Sequence, residues 1–334
     1  MPHSGRVGVL LLQLGTPDAP TEEAVRRYLR EFLSDRRVID TSRLVWWPIL
    51  HLSVLRTRPA QSARLYQRIW TTEGSPLAVI TGRQAAALEA SLSAAYGQRV
   101  PVVVGMRYGR PSIATALERL TAAGIDRVLA LSMYPQYASA TIGSSLERLF
   151  EELQARRTVP AVRIVPPYFD DTLYLDAIAV SARESLDGLG WTPDHIIVTF
   201  HGLPRRYADS GDPYVRHCEK TMALLTSRLG WTSDAVTMTY QSRFGREEWL
   251  RPYTDETLAD LARRGARVAA LCPGFTADCL ETLEEIGITG REHFMAAGGA
   301  AFHLIPCLND HRVWIASMTA LATRELQGWL GVPD

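Results

Sequence analysis

Apolar residues in this chain come in short unbroken runs rather than in strict alternation. VGVLLLQ (7–13), PVVVGM (101–106), RVLALSM (127–133), AVRIVP (161–166), HIIVTF (195–200), AVTMTY (235–240), RVAALC (267–272) and AFHLIP (301–306) each have the length and β-branched content of a strand. Between them lie longer stretches with apolar positions at helical spacing, among them TEEAVRRYLREFLS, RQAAALEASLSAAYG, SIATALERLTAAG, SSLERLFEELQARR, PYVRHCEKTMALLTSRLG and TDETLADLARRG. Thr21 is placed to cap the first, followed by Glu22 and Glu23 where a helix favours carboxylates, and several others end in Gly as a helix C-terminus does. Strands that are apolar throughout are buried on both faces, which predicts parallel sheets covered by helices. Four strands fall in or just beyond the first half and four in the second. The expected architecture is α/β with two similar Rossmann-like lobes, 1–158 and 159–308, and a C-terminal stretch, 309–334, that packs on the first.

One segment breaks the pattern. RLVWWPILHLSVL (43–55) is apolar, carries two adjacent tryptophans and holds a proline in mid-run. It reads either as a buried connecting helix or as an exposed apolar lip that takes a flat hydrophobic ligand or dips into a membrane surface. The run near the N-terminus is too short to span a bilayer and has no cleavage pattern after it, so a first strand is expected there rather than a signal peptide.

Composition narrows the function classes. Lys plus Arg and Asp plus Glu number 36 each in 334 residues, so the basic excess that a nucleic-acid partner demands is missing. Cys218, Cys272, Cys279 and Cys307 make no CxxC and are too few for a disulfide scaffold in a chain of this length, which fits a reducing cytoplasm. No strand is followed by GxGxxG, which argues against a nicotinamide-binding oxidoreductase.

Parallel sheets bind ligands beyond the carboxyl ends of their strands. Those ends read QLGTPD, GMRYGRP, MYPQYASATIGSS, HGLPRRYADSGDPY, QSRFGREEWLRP and CPGFTADCLETLEE. If the two sheets face a common cleft, all six loops can line it. His201 stands where the run 195–200 ends; it can be a catalytic base, a metal ligand or a hydrogen-bonded turn residue. Asp278, Glu281 and Glu285 are spaced three and four apart, so on an α-helix they form one stripe of carboxylates with no Lys or Arg interleaved. Such a stripe is either a helix start favoured by the dipole or a path for protons or a hard cation. Arg107 and Arg243 can pair carboxylates of a ligand, or lie on the surface. Trp249 and Phe275 read equally as core or as ligand platform.

Taken in order, LLQLGTPDAPTEEAVRRYLREFLSDRRV, YQRIWTTEGSPL, GMRYGRPSI, YPQYASATIGSS, TFHGLPRRYADSGDPY, YQSRFGREEWLRP and PGFTADCLETLEEIG resemble the successive sequence blocks of the ferrochelatases, of the bacterial protoporphyrin type. The resemblance covers almost the whole chain. It implies a porphyrin cleft between two Rossmann-like lobes and insertion of Fe²⁺ into protoporphyrin IX, with release of two pyrrole protons, as the last step of haem synthesis. Carried over by position, it implies His201 and Glu281 as catalytic residues that also meet the metal, with Asp278 and Glu285 continuing an acidic path. It further implies Leu14, Arg107, Tyr108, Tyr137, Trp249 and Phe275 as substrate contacts. Many family members hold a [2Fe-2S] cluster on a cysteine in the fourth of these blocks and three near the C-terminus. Here that block reads YASAT, with Ser139, and nothing after Cys307 is cysteine. No cluster of that kind is expected, and no cofactor beyond the substrate iron is required; Cys218, Cys272, Cys279 and Cys307 read as free buried thiols, with a differently built cluster on them as the alternative. Gln13 replaces a usual asparagine, and Cys279 stands where some relatives carry histidine. The rival expectations are a chelatase for coproporphyrin III or for cobalt, and a non-catalytic tetrapyrrole or metal carrier. The extra carboxylates of coproporphyrin would ask for basic residues where 43–55 supplies apolar ones. A cytoplasmic protein with peripheral membrane contact through 43–55 is expected.

Overall fold

A computed structural model describes residues 6–245 and 247–331; the outermost ends of the expected lobes, 1–5 and 332–334, lie outside the described residues. Every one of the eight apolar runs is a strand, and every pairing between them is parallel. The strands are β1 (Val7–Thr16), β2 (Val102–Gly109), β3 (Arg127–Ser132), β4 (Ala161–Ile164), β5 (His195–His201), β6 (Val236–Gln241), β7 (Arg267–Leu271) and β8 (Ala301–Leu304). They form two four-stranded sheets of orders β2-β1-β3-β4 and β6-β5-β7-β8, which are the same order written twice. The likeness extends to detail. Met106 N–H donates to Pro111 O at 2.7 Å after β2, and Tyr240 N–H donates to Pro252 O at 2.8 Å after β6. Both prolines follow an arginine in the sequence.

Chain contacts divide the protein into two units, one of Met1–Tyr134, Ala138–Pro167 and Ile315–Asp334, the other of Pro135–Tyr137 and Tyr168–Trp314. The expected boundary at 158 comes too early because Ala161–Ile164 pairs with β3 and so completes the first sheet. The helix Arg312–Leu326 returns to the first unit, where Thr319 Oγ1 donates to Ser91 Oγ at 2.9 Å.

The helices start and stop for local reasons. Thr21 accepts from Ala24 N–H at 3.3 Å, and Asp171 caps Thr172–Asp187 by accepting from Leu173 and Tyr174. Gly97 and Gly230 end Pro76–Tyr96 and Tyr214–Leu229 in the left-handed conformation. In the first unit, Leu10, Leu12, Val128 and Ala130 of the sheet pack under Ile113, Leu117, Leu120, Leu149 and Leu153 of two helices. In the second, Ile197, Val268 and Ala270 pack under Leu258, Ile286 and Phe294. Burying a side chain of this size contributes about 1.5–3 kcal/mol, so each sheet is held by its own apolar layer.

The segment 43–55 is helix Arg43–Ile49, a π-turn Leu50–Val54 and the start of helix Leu55–Ile69. Leu50 and Leu55 anchor it to Leu33, while Leu44 is 89% exposed and Leu52 63% exposed. Val45, Trp47 and Ile49 are exposed as well. The buried-helix alternative is therefore wrong for most of this segment. Trp46 and Val54 pack beside Leu50 and Leu55, and Trp46 Nε1 donates to Leu33 O at 2.7 Å, so the inner face is held while the apolar outer face lies in solvent.

Candidate active site

In a sheet of order β6-β5-β7-β8, the strand order reverses between β5 and β7, and the carboxyl ends of those two strands flank the crevice. His201 is the last residue of β5, and 272–279 is the loop that leaves β7 and leads into the helix carrying Glu281. The sequence thus delivers its histidine and its carboxylates to the same point. His201 Nδ1 lies 2.6 Å from Gly202 O, which fixes the ring and gives Nδ1 the proton, leaving Nε2 as the acceptor. Gly202 has to be glycine. A Cβ there would stand 2.8 Å from Gln241 O and 3.1 Å from the Trp249 ring.

Leu280–Gly290 is a π-helix, with Cys279 as its N-cap. Such wide turns are rare and are frequent at functional sites. Asp278 lies before this helix and is not part of a stripe. Its buried carboxylate accepts from Asn309 Nδ2 at 2.7 Å, from Thr282 Oγ1 at 2.9 Å and from Cys307 N–H at 3.4 Å. It serves as a bracket that ties the helix start to the loop after β8.

Glu285 is the carboxylate that faces His201. Ser242 N–H donates to its Oε1 at 2.7 Å and Ser242 Oγ to its Oε2 at 2.5 Å. Ser242 reaches both oxygens because its backbone is left-handed, φ 66°, a conformation that places N–H and Oγ on one side. Burial pushes the Glu285 carboxyl upward; the Ser242 hydroxyl and the His201 charge pull it down, and Glu281 raises it again. Two neighbouring carboxylates beside a histidine make a place where one proton is readily shared. Glu281 bonds the Cys279 thiol, and its backbone O accepts from Gln241 Nε2 at 2.7 Å. Gln241 is buried and also receives Thr199 Oγ1 at 3.2 Å, so it links β5, β6 and the π-helix. Gln241, Ser242 and Asn309 escaped notice in the sequence because short polar residues in loops carry no periodicity; the QS pair directly after an apolar strand was the available sign.

The other sequence-selected residues have different fates. Trp249 is buried, 4% exposed, with Phe244 against it at 4.8 Å between ring centroids. It forms the wall behind Gly202 and His201, not an open platform. Phe275 is half-buried and packs on the core of the second unit. Tyr137 is half-buried, in the short piece 135–137 that belongs to that unit. Arg243 is held by Asp255 at 3.0 Å and Glu256 at 3.2 Å, over the Tyr253 ring. All four cysteines are buried and free, and burial raises every thiol, which keeps them protonated and unreactive. Among the described residues no three His, Cys, Asp or Glu side chains gather to hold a metal ion.

In the first unit, Leu14 is half-buried at the end of β1. Tyr108 has no exposed surface, and its hydroxyl donates to Asp35 Oδ2 at 2.8 Å, so it offers no surface to a ligand. Arg107 Nη2 donates to the same oxygen at 2.5 Å and its Nε to Ser144 Oγ at 2.7 Å. Burial would raise the Asp35 carboxyl, but Ser144, the Arg37 N–H, the Arg107 charge and the Tyr108 hydroxyl outweigh it and hold it below the usual range. Tyr108 is pushed up by burial and by the Asp35 charge. Arg107 and Asp35 form part of the lining of a cavity of about 490 Å³, with Arg27, Arg30, Glu31 and Ser34.

Residues 6–326 match the family model for ferrochelatase. The chain belongs to the ferrochelatase family. It is 49% identical to a ferrochelatase of Methylocella silvestris and 49% identical to one of Rhizobium meliloti, each over 98% of this chain and 96% of the relative. Among solved structures it is similar to SirB from Bacillus subtilis with Fe³⁺, at TM-score 0.56 and 11% identity over 96% of each chain. It is also similar to the sirohydrochlorin chelatase SirB of Bacillus subtilis subspecies spizizenii in complex with cobalt, at TM-score 0.53 and 10% identity, over 97% of this chain and 95% of that one. At such identity the likeness is one of fold, and the fold is that of the chelatases.

Proposed function

We propose that this ferrochelatase-family protein inserts Fe²⁺ into protoporphyrin IX, forming protohaem and releasing the two pyrrole protons in the last step of haem synthesis. The observation that carries this is the pairing of His201 with the Glu285–Glu281 carboxylates at the crevice of the second sheet. Iron is substrate, and no resident cofactor is needed. The incoming dication forms bonds to four ring nitrogens while two N–H bonds break, so the protein must take up two protons at the ring and keep them from returning. His201 Nε2, free because Nδ1 is committed to Gly202, takes the first and, once that proton has moved on to Glu285, the second. The imidazolium then faces Glu285, whose raised carboxyl accepts a proton readily and passes it to Glu281 along the π-helix. Before it takes a proton, neutral His201 also meets the metal in this proposal, together with Glu281. Asp278 acts by fixing the helix start. In the second unit, half-buried Tyr137 and Phe275 are proposed as apolar contacts for a flat macrocycle; Leu14 and Arg107 of the first unit are proposed as substrate contacts on the family resemblance alone.

The exposed face of 43–55 supports two further points. Leu44, Val45, Trp47, Ile49 and Leu52 suit a membrane surface, from which an apolar porphyrin is exchanged. No helix among the described residues is long and apolar enough to cross a membrane; the contact proposed is peripheral, at the surface of a membrane facing the cytoplasm. The same apolar face favours protoporphyrin over coproporphyrin III, whose additional carboxylates would need cations there.

The test is anaerobic metal insertion followed by absorbance, with Fe²⁺ or Zn²⁺ and either porphyrin, for wild type and His201→Ala. Protoporphyrin turnover that the variant loses is expected. A preference for coproporphyrin would move the protein to that substrate. Tight porphyrin binding without insertion would make it a carrier.

A further inference from the structure

The piece Pro135–Tyr137 is flanked on both sides by residues of the first unit and belongs itself to the second. Side chains of the helix Tyr214–Leu229 hold it there. Gln136 is 2% exposed and donates through Nε2 to Thr221 Oγ1 at 3.1 Å, and Thr221 Oγ1 donates to Phe169 O at 2.8 Å. The Tyr174 hydroxyl also bonds Gln136 and donates to Pro273 O at 2.6 Å, in the loop after β7. One residue on, Tyr137 N–H donates to His217 Nδ1 at 3.1 Å. An imidazole accepts at Nδ1 only when that nitrogen is unprotonated, so this bond exists only with a neutral ring carrying its proton on Nε2. Phe169 stacks flat on the imidazole, with centroids 3.7 Å apart and planes at 11°, which fixes the direction of Nδ1.

We infer that neutral His217 is a positioning residue that clasps the Tyr137 backbone and so sets the Tyr137 side chain for porphyrin binding. The inference rests on the proposed function for its second half only. The ring sits half-buried. Burial and the Arg216 charge favour the neutral ring, Asp170 and Asp212 favour the charged one, and the balance lies on the neutral side. From the 135–137 piece it meets a backbone N–H and from Phe169 an uncharged ring. Protonation would turn Nδ1 into a donor aimed at another donor, and the clasp would open as pH falls below the ordinary histidine range.

The experiment compares wild type, His217→Ala and His217→Asn as full-length protein. Asn places an amide oxygen near the Nδ1 position and does not titrate. Amide exchange of Tyr137 is read by mass spectrometry without porphyrin, and KM and kcat for protoporphyrin are read across pH. The Ala variant should exchange about tenfold faster at Tyr137 and show a KM raised by about five- to tenfold with kcat little changed. The Asn variant should keep the wild-type KM at neutral pH and lose the acid-side rise in KM that wild type shows. Unchanged Tyr137 exchange in His217→Ala overturns the clasp. Faster exchange with an unchanged KM overturns its role toward substrate. A protein with no chelatase turnover at all would sink the proposed function, and the exchange comparison would still decide the clasp.

Discussion

Gly202→Ala is the smallest change that reaches the candidate site through the backbone alone. The added Cβ would lie 2.8 Å from Gln241 O and 3.1 Å from the Trp249 ring, against an ordinary contact of at least 3.4 Å. Gln241 O is not free to retreat, because it accepts the Gly202 N–H at 2.8 Å and belongs to the β5–β6 pairing that sets His201 opposite Gln241. Trp249 is buried and cannot swing out without opening a cavity. Overpacking of this kind costs about 1–3 kcal/mol. The kinetic effect should exceed the loss of stability, since the displaced strand ends carry His201 on one side and the Gln241–Ser242 brace on the other, and a misplacement of about 1 Å at reacting groups can cost roughly 10²-fold. Porphyrin metallation measured beside a urea denaturation curve should therefore show kcat down by about 10- to 100-fold in a protein that remains folded. Gly82→Ala is the control: it sits inside the helix Pro76–Tyr96 with nothing within 4 Å of the new methyl, and should be neutral or gain about 0.5–1 kcal/mol. Wild-type kcat in Gly202→Ala would refute the claim that close approach of backbone at Gly202 fixes the histidine.

Other perturbations probe other parts of the same reasoning. Ser242→Ala removes a donor that favours the ionised form of Glu285, so the acid limb of the rate profile should move to higher pH; a limb that stays put would mean Glu285 does not take the proton. Asp35→Asn strips the Arg107 guanidinium, 15% exposed, of its counter-charge, and should lower unfolding free energy in urea by about 3–5 kcal/mol, with a change under 1 kcal/mol counting against the buried pair. Burial lowers the pKa of His195, His217 and His303 below the ordinary 6.5, so in this window the unfolded chain binds more protons than the folded one. Stability should thus be flat above pH 6.5 and fall as pH drops through it, and His303→Gln should lessen that slope relative to wild type. Replacing Leu44, Trp47 and Leu52 by serine should abolish co-flotation with anionic lipid vesicles and leave the melting temperature unchanged; equal flotation would dispose of the membrane contact.

The strands were legible because a parallel strand buried on both faces is apolar throughout, and eight short β-branched runs separated by helical spacing repeat that signal. Their ends were less so. Val7–Thr16 continues through Gln13 and Thr16, which are buried and satisfied by Thr81 and Ser75, and no apolar count anticipates a polar residue that finds its partner 59 or 68 positions away. The boundary at 158 failed for a related reason. A four-residue strand such as Ala161–Ile164 says from its own sequence that it belongs in a sheet, but only pairing says which one.

The carboxylates show where periodicity misleads. Spacing of three and four assumes 3.6 residues per turn, and Asp278, Glu281 and Glu285 looked like one face on that assumption. The wider π-turn begins after Asp278, so the triplet splits into a buried bracket and a pair. The two sheets repeat one topology, and a π-turn follows the third strand in each: Ser139–Gly143 after β3 and Leu280–Gly290 after β7. In the first unit that turn is short and carries no carboxylate; its neighbour Ser144 donates to Asp35 and helps to neutralise a buried ion pair. In the second it is more than twice as long and presents Glu281 and Glu285 toward a strand that ends in His201. Identical scaffolds therefore differ in what the wide turn is made to hold. The site's chemistry follows from three local choices in the second copy: a histidine as the last residue of β5, a serine able to turn left-handed after β6, and glutamates on the lengthened π-helix.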